Sequence, residues 1–92
     1  METVNKKQQI LIVDDEEVNR EILKEMFREG IYELIEAENG EDAISKLKEN
    51  DNIVLVLLDI VMPIMDGFGV LKYMHQQELL DPIPVILITS ED

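Results

Sequence analysis

Five oxygen-bearing residues stand where apolar segments stop. Asp14 and Asp15 follow QILIV, Asp59 follows IVLVLL, and Thr89 with Ser90 follows VILI. Three carboxylates brought together repel one another and tend to hold protons unless a cation intervenes. With no cysteine and a single histidine in the chain, the donor set is all oxygen. Such a set suits a hard cation, and Mg²⁺ best, because it takes one or two carboxylates, keeps waters and recruits phosphate oxygens. A carboxylate nucleophile, a divalent ion and hydroxyl donors are the parts for moving a phosphoryl group onto an aspartate. Each part alone says little, since an Asp-Asp pair is most often a helix cap or a solvated loop. The joint pattern carries the reading, and it requires that the three segment ends meet.

The elements between them provide for that. Residues 9–13, QILIV, form a short β-branched run of the kind buried on both sheet faces. Residues 16–28 place Val18, Ile22 and Met26 four apart, an amphipathic helix, with Gly30 placed to end it. Residues 31–37, IYELIEA, read as a more polar edge strand; Asn39-Gly40 signals a turn, and 41–48 a helix facing inward through Ala43, Ile44 and Leu47. Residues 53–58 make the most apolar strand, expected at the sheet centre. Asp66 can cap a helix running to about Leu80 with Phe68, Leu71 and Met74 inside. Prolines 82 and 84 break the chain before a fourth strand, Val85–Ile88. The order β-α-β-α-β-α-β, with continuous apolar strands, indicates an α/β fold with a parallel sheet. In such sheets the site lies beyond the carboxyl ends of the strands, where these five residues fall.

Composition narrows the function classes. The 92 residues suit one domain, and 21 acids against 8 bases give a net charge of −13. A chain so acidic lacks the basic footprint that displaces counterions from phosphates, so no direct contact with nucleic acid or an anionic membrane is expected. Thiol catalysis and thiolate metal sites are excluded. The start of the chain lacks the apolar core of a signal peptide, and the longest apolar run is far shorter than the roughly 20 residues of a membrane span. The expectation is a cytoplasmic protein.

Taken together, the motifs resemble the response-regulator receiver domain of two-component signalling. ILIVDDEEVNR is similar to the first strand and acidic pair of that family, AENGEDAI to its second strand and following helix, LVLLDIVMPIMDGFGVL to its phosphoacceptor strand and loop, and IPVILITS to its fourth strand. The spacing of 44 residues from Asp15 to Asp59 and 30 from Asp59 to Thr89 fits as well. The resemblance implies a flavodoxin-like doubly wound sheet with the family's strand order 2-1-3-4-5, of which the first four strands are present. It implies that Asp59 accepts a phosphoryl group from a sensor histidine kinase or phosphotransfer protein. Asp15 and Asp59 would ligate Mg²⁺ directly, Asp14 largely through water, and the Val61 carbonyl would add a ligand. Thr89 would bond the phosphoryl oxygen. Pro63, Asp66 and Gly67 would shape the loop.

The sequence also departs from that family. The family's last helix-strand-helix, with its lysine and switch aromatic, has no counterpart here, so the receiver domain spanning residues 1–92 is expected to be incomplete at its C-terminus. The fourth strand would then be an apolar edge open to self-association or to another chain. Two rival functions follow: a scaffold of the same fold that is not phosphorylated, and a Mg²⁺-dependent phosphohydrolase passing through an aspartyl phosphate. The second rival expects a carboxylate two residues beyond the nucleophile, and Val61 stands there. Other residues read as ordinary parts of the fold: His75 as a helix residue, and Met62, Met65 and Met74 as packing. Glu16 and Asn19 lie one turn from the acidic pair, close enough to support it.

Overall fold

Four apolar segments pair as parallel strands because each returns through a helix that needs the sheet to bury its own apolar side. The computed structural model describes residues 7–28, 30–62 and 65–88. In chain order these form β1 (Gln9–Val13), α1 (Glu17–Glu25), β2 (Glu33–Ala37), α2 (Gly40–Glu49), β3 (Ile53–Asp59), α3 (Gly67–Gln76) and β4 (Val85–Ile88). The strand order is β2-β1-β3-β4, all parallel. The sheet thus has the order that the resemblance implies, with β1 and β3 central and β2 and β4 at its edges.

Successive side chains of a strand point to opposite faces, and the two faces of this sheet carry two cores. Leu11, Val13, Val56 and Leu58 pack with Ala43 and Leu47 of α2 and with Val70 and Met74 of α3. Ile10, Ile12 and Leu57 face the other way, toward Leu23, Phe27, Tyr32 and Leu34. Phe27 and Tyr32 meet edge to face, their ring centroids 6.5 Å apart. Helices therefore cover both faces, α1 on one and α2 with α3 on the other.

Several expected faces and limits are corrected. Val18, Ile22 and Met26 are 68%, 58% and 69% exposed and do not form the inner side of α1. The inward side runs through Arg20, Leu23 and Phe27, because the sheet face above α1 offers an apolar floor at Ile10 and Ile12 and a carboxylate, Glu36, at its β2 edge. In α3, Val70 and Met74 are buried while Phe68 is exposed; a stripe beginning at 70 follows the helical repeat as well as one beginning at 68. That helix ends at Gln76, not near Leu80. The first helix closes at Glu25, and Gly30, with φ 85°, turns the connection to β2 rather than capping the helix. Strand β2 begins at Glu33, with Ile31 outside it and exposed. The Asp66 cap is present: its side chain accepts the Gly69 N–H at 3.1 Å. Ala43 and Leu47 of α2 are buried as expected, Met62 and Met74 are core, and His75 lies exposed on α3.

Candidate functional site

The carboxyl ends of β1 and β3 lie side by side, since Val13 pairs with Leu58. The residue after each is an aspartate, which is why Asp14, Asp15 and Asp59 converge. One carboxylate oxygen from each lies within 4.8 Å of the other two. Asp14 and Asp59 are 3% and 2% exposed, whereas Asp15 is open to solvent. Strand β3 carries its ladder one residue further than expected, through Asp59, which pairs with Ile88 of β4. Asp59 is therefore held by regular backbone pairing rather than by a loop.

The two buried carboxylates each have a defined seat. Asp14 Oδ1 accepts the Glu16 N–H at 2.9 Å and the Asn19 side-chain N–H at 3.3 Å. The bond to Glu16 two residues on is a local aspartate turn, so Asp14 shapes the entry to α1 and also faces the acidic cluster. Asn19 further donates to Glu16 Oε1 at 3.2 Å, so Glu16 and Asn19 both bond Asp14 of the acidic pair and one another. Asp59 Oδ1 accepts the Val61 N–H at 3.2 Å, and Oδ2 receives no hydrogen bond among the described residues. Burial, and then the charges of Asp14, Asp15 and Glu16, push the Asp59 carboxyl above the usual aspartate range, with the Val61 N–H pulling the other way.

Gly67 brings α3 against this turn. A Cβ at that position would lie 2.7 Å from the Asp59 carbonyl oxygen and 2.8 Å from the Ile60 Cα, while the Gly67 N–H donates to the Ile60 carbonyl at 2.9 Å. No larger residue fits there without moving the backbone of Asp59. Pro63, Thr89 and Ser90 lie outside the described residues.

Arg20 was not among the residues that the sequence singled out. Its Nη1 donates to the Asp14 backbone carbonyl at 2.7 Å and its Nε to Glu36 Oε1 of β2 at 2.9 Å. Its position one face away from Val18 and Ile22 was the only local signal.

The donor chemistry and the spacing fit a hard cation. Mg²⁺ sits about 2.0–2.1 Å from oxygen in an octahedral shell, so adjacent ligands lie about 3 Å apart and opposite ones about 4.2 Å; three oxygens within 4.8 Å of one another reach such separations by side-chain rotation, with a water completing the contact where one stays further out. A carboxylate that burial, and then its acidic neighbours, holds above the usual range is what a divalent ion would relieve. A larger hollow, about 420 Å³ and lined by Gln9, Glu33 and Asn50 among others, lies at the opposite end of the sheet. It lacks the three converging aspartates, and chemistry rather than size picks the site.

Comparison with known proteins agrees with this geometry. The family described as response regulator receiver domain matches residues 10–92. The alkaline phosphatase synthesis transcriptional regulatory protein PhoP of Bacillus subtilis is 37% identical over 89 residues, 97% of this chain and 35% of that protein. A rice two-component response regulator, ORR3, is 32% identical over 90% of this chain and 63% of its own length. The response regulator TrrA of Thermotoga maritima, solved in complex with Mg²⁺ and BeF, superposes with a TM-score of 0.80 at 39% identity, over 92% of this chain and 71% of that one. A receiver protein from Pseudomonas putida, at 24% identity and a TM-score of 0.83, shares the fold. The chain spans as little as 11% of some curated relatives, such as the rice response regulator-like PRR37. With sheet order, converging aspartates and family match in agreement, this chain belongs to the response regulator receiver domain family.

Proposed function

We propose that this chain is a phosphorylation-controlled switch in which Asp59 accepts the phosphoryl group. The observation that carries the reading is the convergence of buried Asp59 with Asp14 and Asp15 at the carboxyl edge of a parallel sheet. Asp14, Asp15, Asp59 and the Val61 carbonyl would hold Mg²⁺, which supplies charge neutralisation for the incoming phosphoryl group. The chain's own residues do the rest. The Val61 N–H fixes Oδ1 of Asp59, leaving Oδ2 to attack phosphorus. With a phosphohistidine donor, the new P–O bond forms as the P–N bond breaks, and the imidazole leaves with the electron pair. Thr89 would then bond the phosphoryl oxygen.

The donor in this reading is a sensor histidine kinase or phosphotransfer protein, the setting is cytoplasmic, and the signal passes to an output domain. Among the described residues no helix is long and apolar enough to cross a membrane. The acyl phosphate is labile, so water can erase the mark and reset the switch. Strand β4 is a sheet edge among the described residues, with Ile86 and Leu87 52% and 45% exposed. Its apolar character favours association through that edge with a second copy.

Fluorine-19 NMR with beryllofluoride, a mimic of the phosphoryl group, tests the site. The proposal expects a bound resonance that requires Mg²⁺ and disappears in Asp59→Asn. A spectrum showing only free beryllofluoride, from folded protein with Mg²⁺ present, would contradict it.

A further inference from the structure

Behind the acidic turn sits a cation that the proposed chemistry does not use. The Arg20 side chain is 14% exposed and bridges two elements. Nη1 holds the Asp14 carbonyl at 2.7 Å and Nε holds Glu36 at 2.9 Å. The other oxygen of Glu36 accepts from Lys24 Nζ at 2.9 Å, so the carboxylate that aims Arg20 is fixed from α1 at a second point. The Asp14 N–H donates to the Ala37 carbonyl of β2 at 3.1 Å. The backbone of Asp14 is therefore pinned on its amide side by β2 and on its carbonyl side by Arg20, while Oδ1 is pinned by Glu16 and Asn19.

We infer that Arg20, aimed by Glu36, is a positioning residue that holds the Asp14–Asp15 turn in shape for a divalent cation. The inference rests on the proposed Mg²⁺ site. Two physical points carry it. A guanidinium is a planar fork whose donors diverge at fixed angles; engaging Glu36 with Nε sets where Nη1 points. Second, an arginine that already reaches the Asp14 backbone would compete with the cation for the Asp14 carboxylate if it turned round. Glu36 keeps its charge on the backbone side of the turn.

The sign of the effect separates positioning from bulk electrostatics. If only net charge mattered, Arg20→Ala would remove a nearby positive charge and tighten cation binding. Positioning requires the opposite. Groups that orient metal ligands typically contribute about 10–100-fold to affinity, and for a partly hydrated ion the low end applies. Arg20→Ala should therefore raise the dissociation constant for Mn²⁺, used as the spectroscopic probe, about tenfold. Arg20→Lys, which keeps charge and reach but not the fork, should fall between. Glu36→Gln should weaken binding too, and adding it to Arg20→Ala should cost nothing more.

Titration of the full chain by electron paramagnetic resonance measures Mn²⁺ affinity in the folded protein, and thermal melts report stability separately. Hydrogen exchange at the Glu16 amide gives a metal-free readout of the turn; it should speed up in Arg20→Ala by more than the loss of global stability explains. Wild-type binding that Arg20→Ala and Arg20→Lys match or exceed would overturn the inference while leaving the Mg²⁺ site intact. Lower melting temperatures at unchanged affinity would do the same, reducing Arg20 to a structural role. No Mn²⁺ binding by the wild type would overturn the site itself and the inference with it.

Discussion

Neutralising Asp59 should make the metal-free protein more stable. Asp59 is 2% exposed and shares its pocket with two carboxylates within 4.8 Å. Two unit charges at that distance repel by about 3.5 kcal/mol at an effective dielectric of about 20, and by about 0.9 kcal/mol in bulk water. Asp14 is buried but Asp15 is open to solvent, so a value between the limits applies, about 2 kcal/mol for Asp59→Asn. The asparagine oxygen can still accept the Val61 N–H, so that bond is kept. For a domain of this size about 1 kcal/mol moves the melting temperature by about 4–8 °C; the variant should melt about 10 °C higher in EDTA at pH 7.5.

The pH dependence has a definite sign. The folded-state pKa of Asp59 is raised, first by burial and then by its acidic neighbours. Stability from its protonated form is thus fully present below the unfolded value of about 3.9 and is lost as pH rises through the raised folded value. The gap between Asp59→Asn and wild type should accordingly be wide at neutral pH and close as pH falls. Saturating Mg²⁺ should close it from the other side, since ligand at a hundred times its dissociation constant adds about 2.7 kcal/mol to the wild type. Thermal melts by circular dichroism, with and without Mg²⁺ across pH, make the measurement. An Asp59→Asn protein melting no higher than wild type in EDTA at pH 7.5 would refute the reasoning.

Two further outcomes follow from packing. Gly67→Ala gains about 1 kcal/mol of helix propensity but sets a Cβ 2.7 Å from the Asp59 carbonyl oxygen; overpacking against backbone costs about 1–3 kcal/mol, so denaturant melts should show a net loss. A stabilised Gly67→Ala would show that α3 can withdraw from the Asp59 turn at no cost. At β4, an edge of the sheet among the described residues, Leu87→Lys should shift the sedimentation of the wild type from a concentration-dependent association to a monomer, and a wild type that is monomeric at high concentration would remove the case for pairing through β4.

How far the fold was legible depended on which residues report on their surroundings. The runs at 9–13, 53–58 and 85–88 read as strands, because short continuous apolar segments, too short for a helix, fit a sheet covered on both faces. The polar character of ELIEA correctly placed β2 at an edge. Helix faces were less legible. Val18, Ile22 and Met26 keep helical spacing as faithfully as Leu23 and Phe27, and only the sheet decides which stripe is covered. The aspartates could be read because each ends a strand, and parallel strands gather their ends. Asp14 showed that a turn-forming role and a place in the acidic cluster are compatible in one residue. Arg20 stayed hidden because its partners are far from one another in sequence, Asp14 in the turn after β1 and Glu36 on β2, and the pair with Glu36 is 16 positions apart in sequence.

The central claim is that Asp59 itself takes up the phosphoryl group. The most direct measurement is intact mass after incubation with acetyl phosphate, with and without Mg²⁺, followed by borohydride reduction to mark the modified residue. The account predicts a single Mg²⁺-dependent phosphoryl adduct, reduction at Asp59, and no adduct in Asp59→Asn. An adduct that maps to another residue, or that survives Asp59→Asn, would contradict it, as would no adduct at all in folded protein.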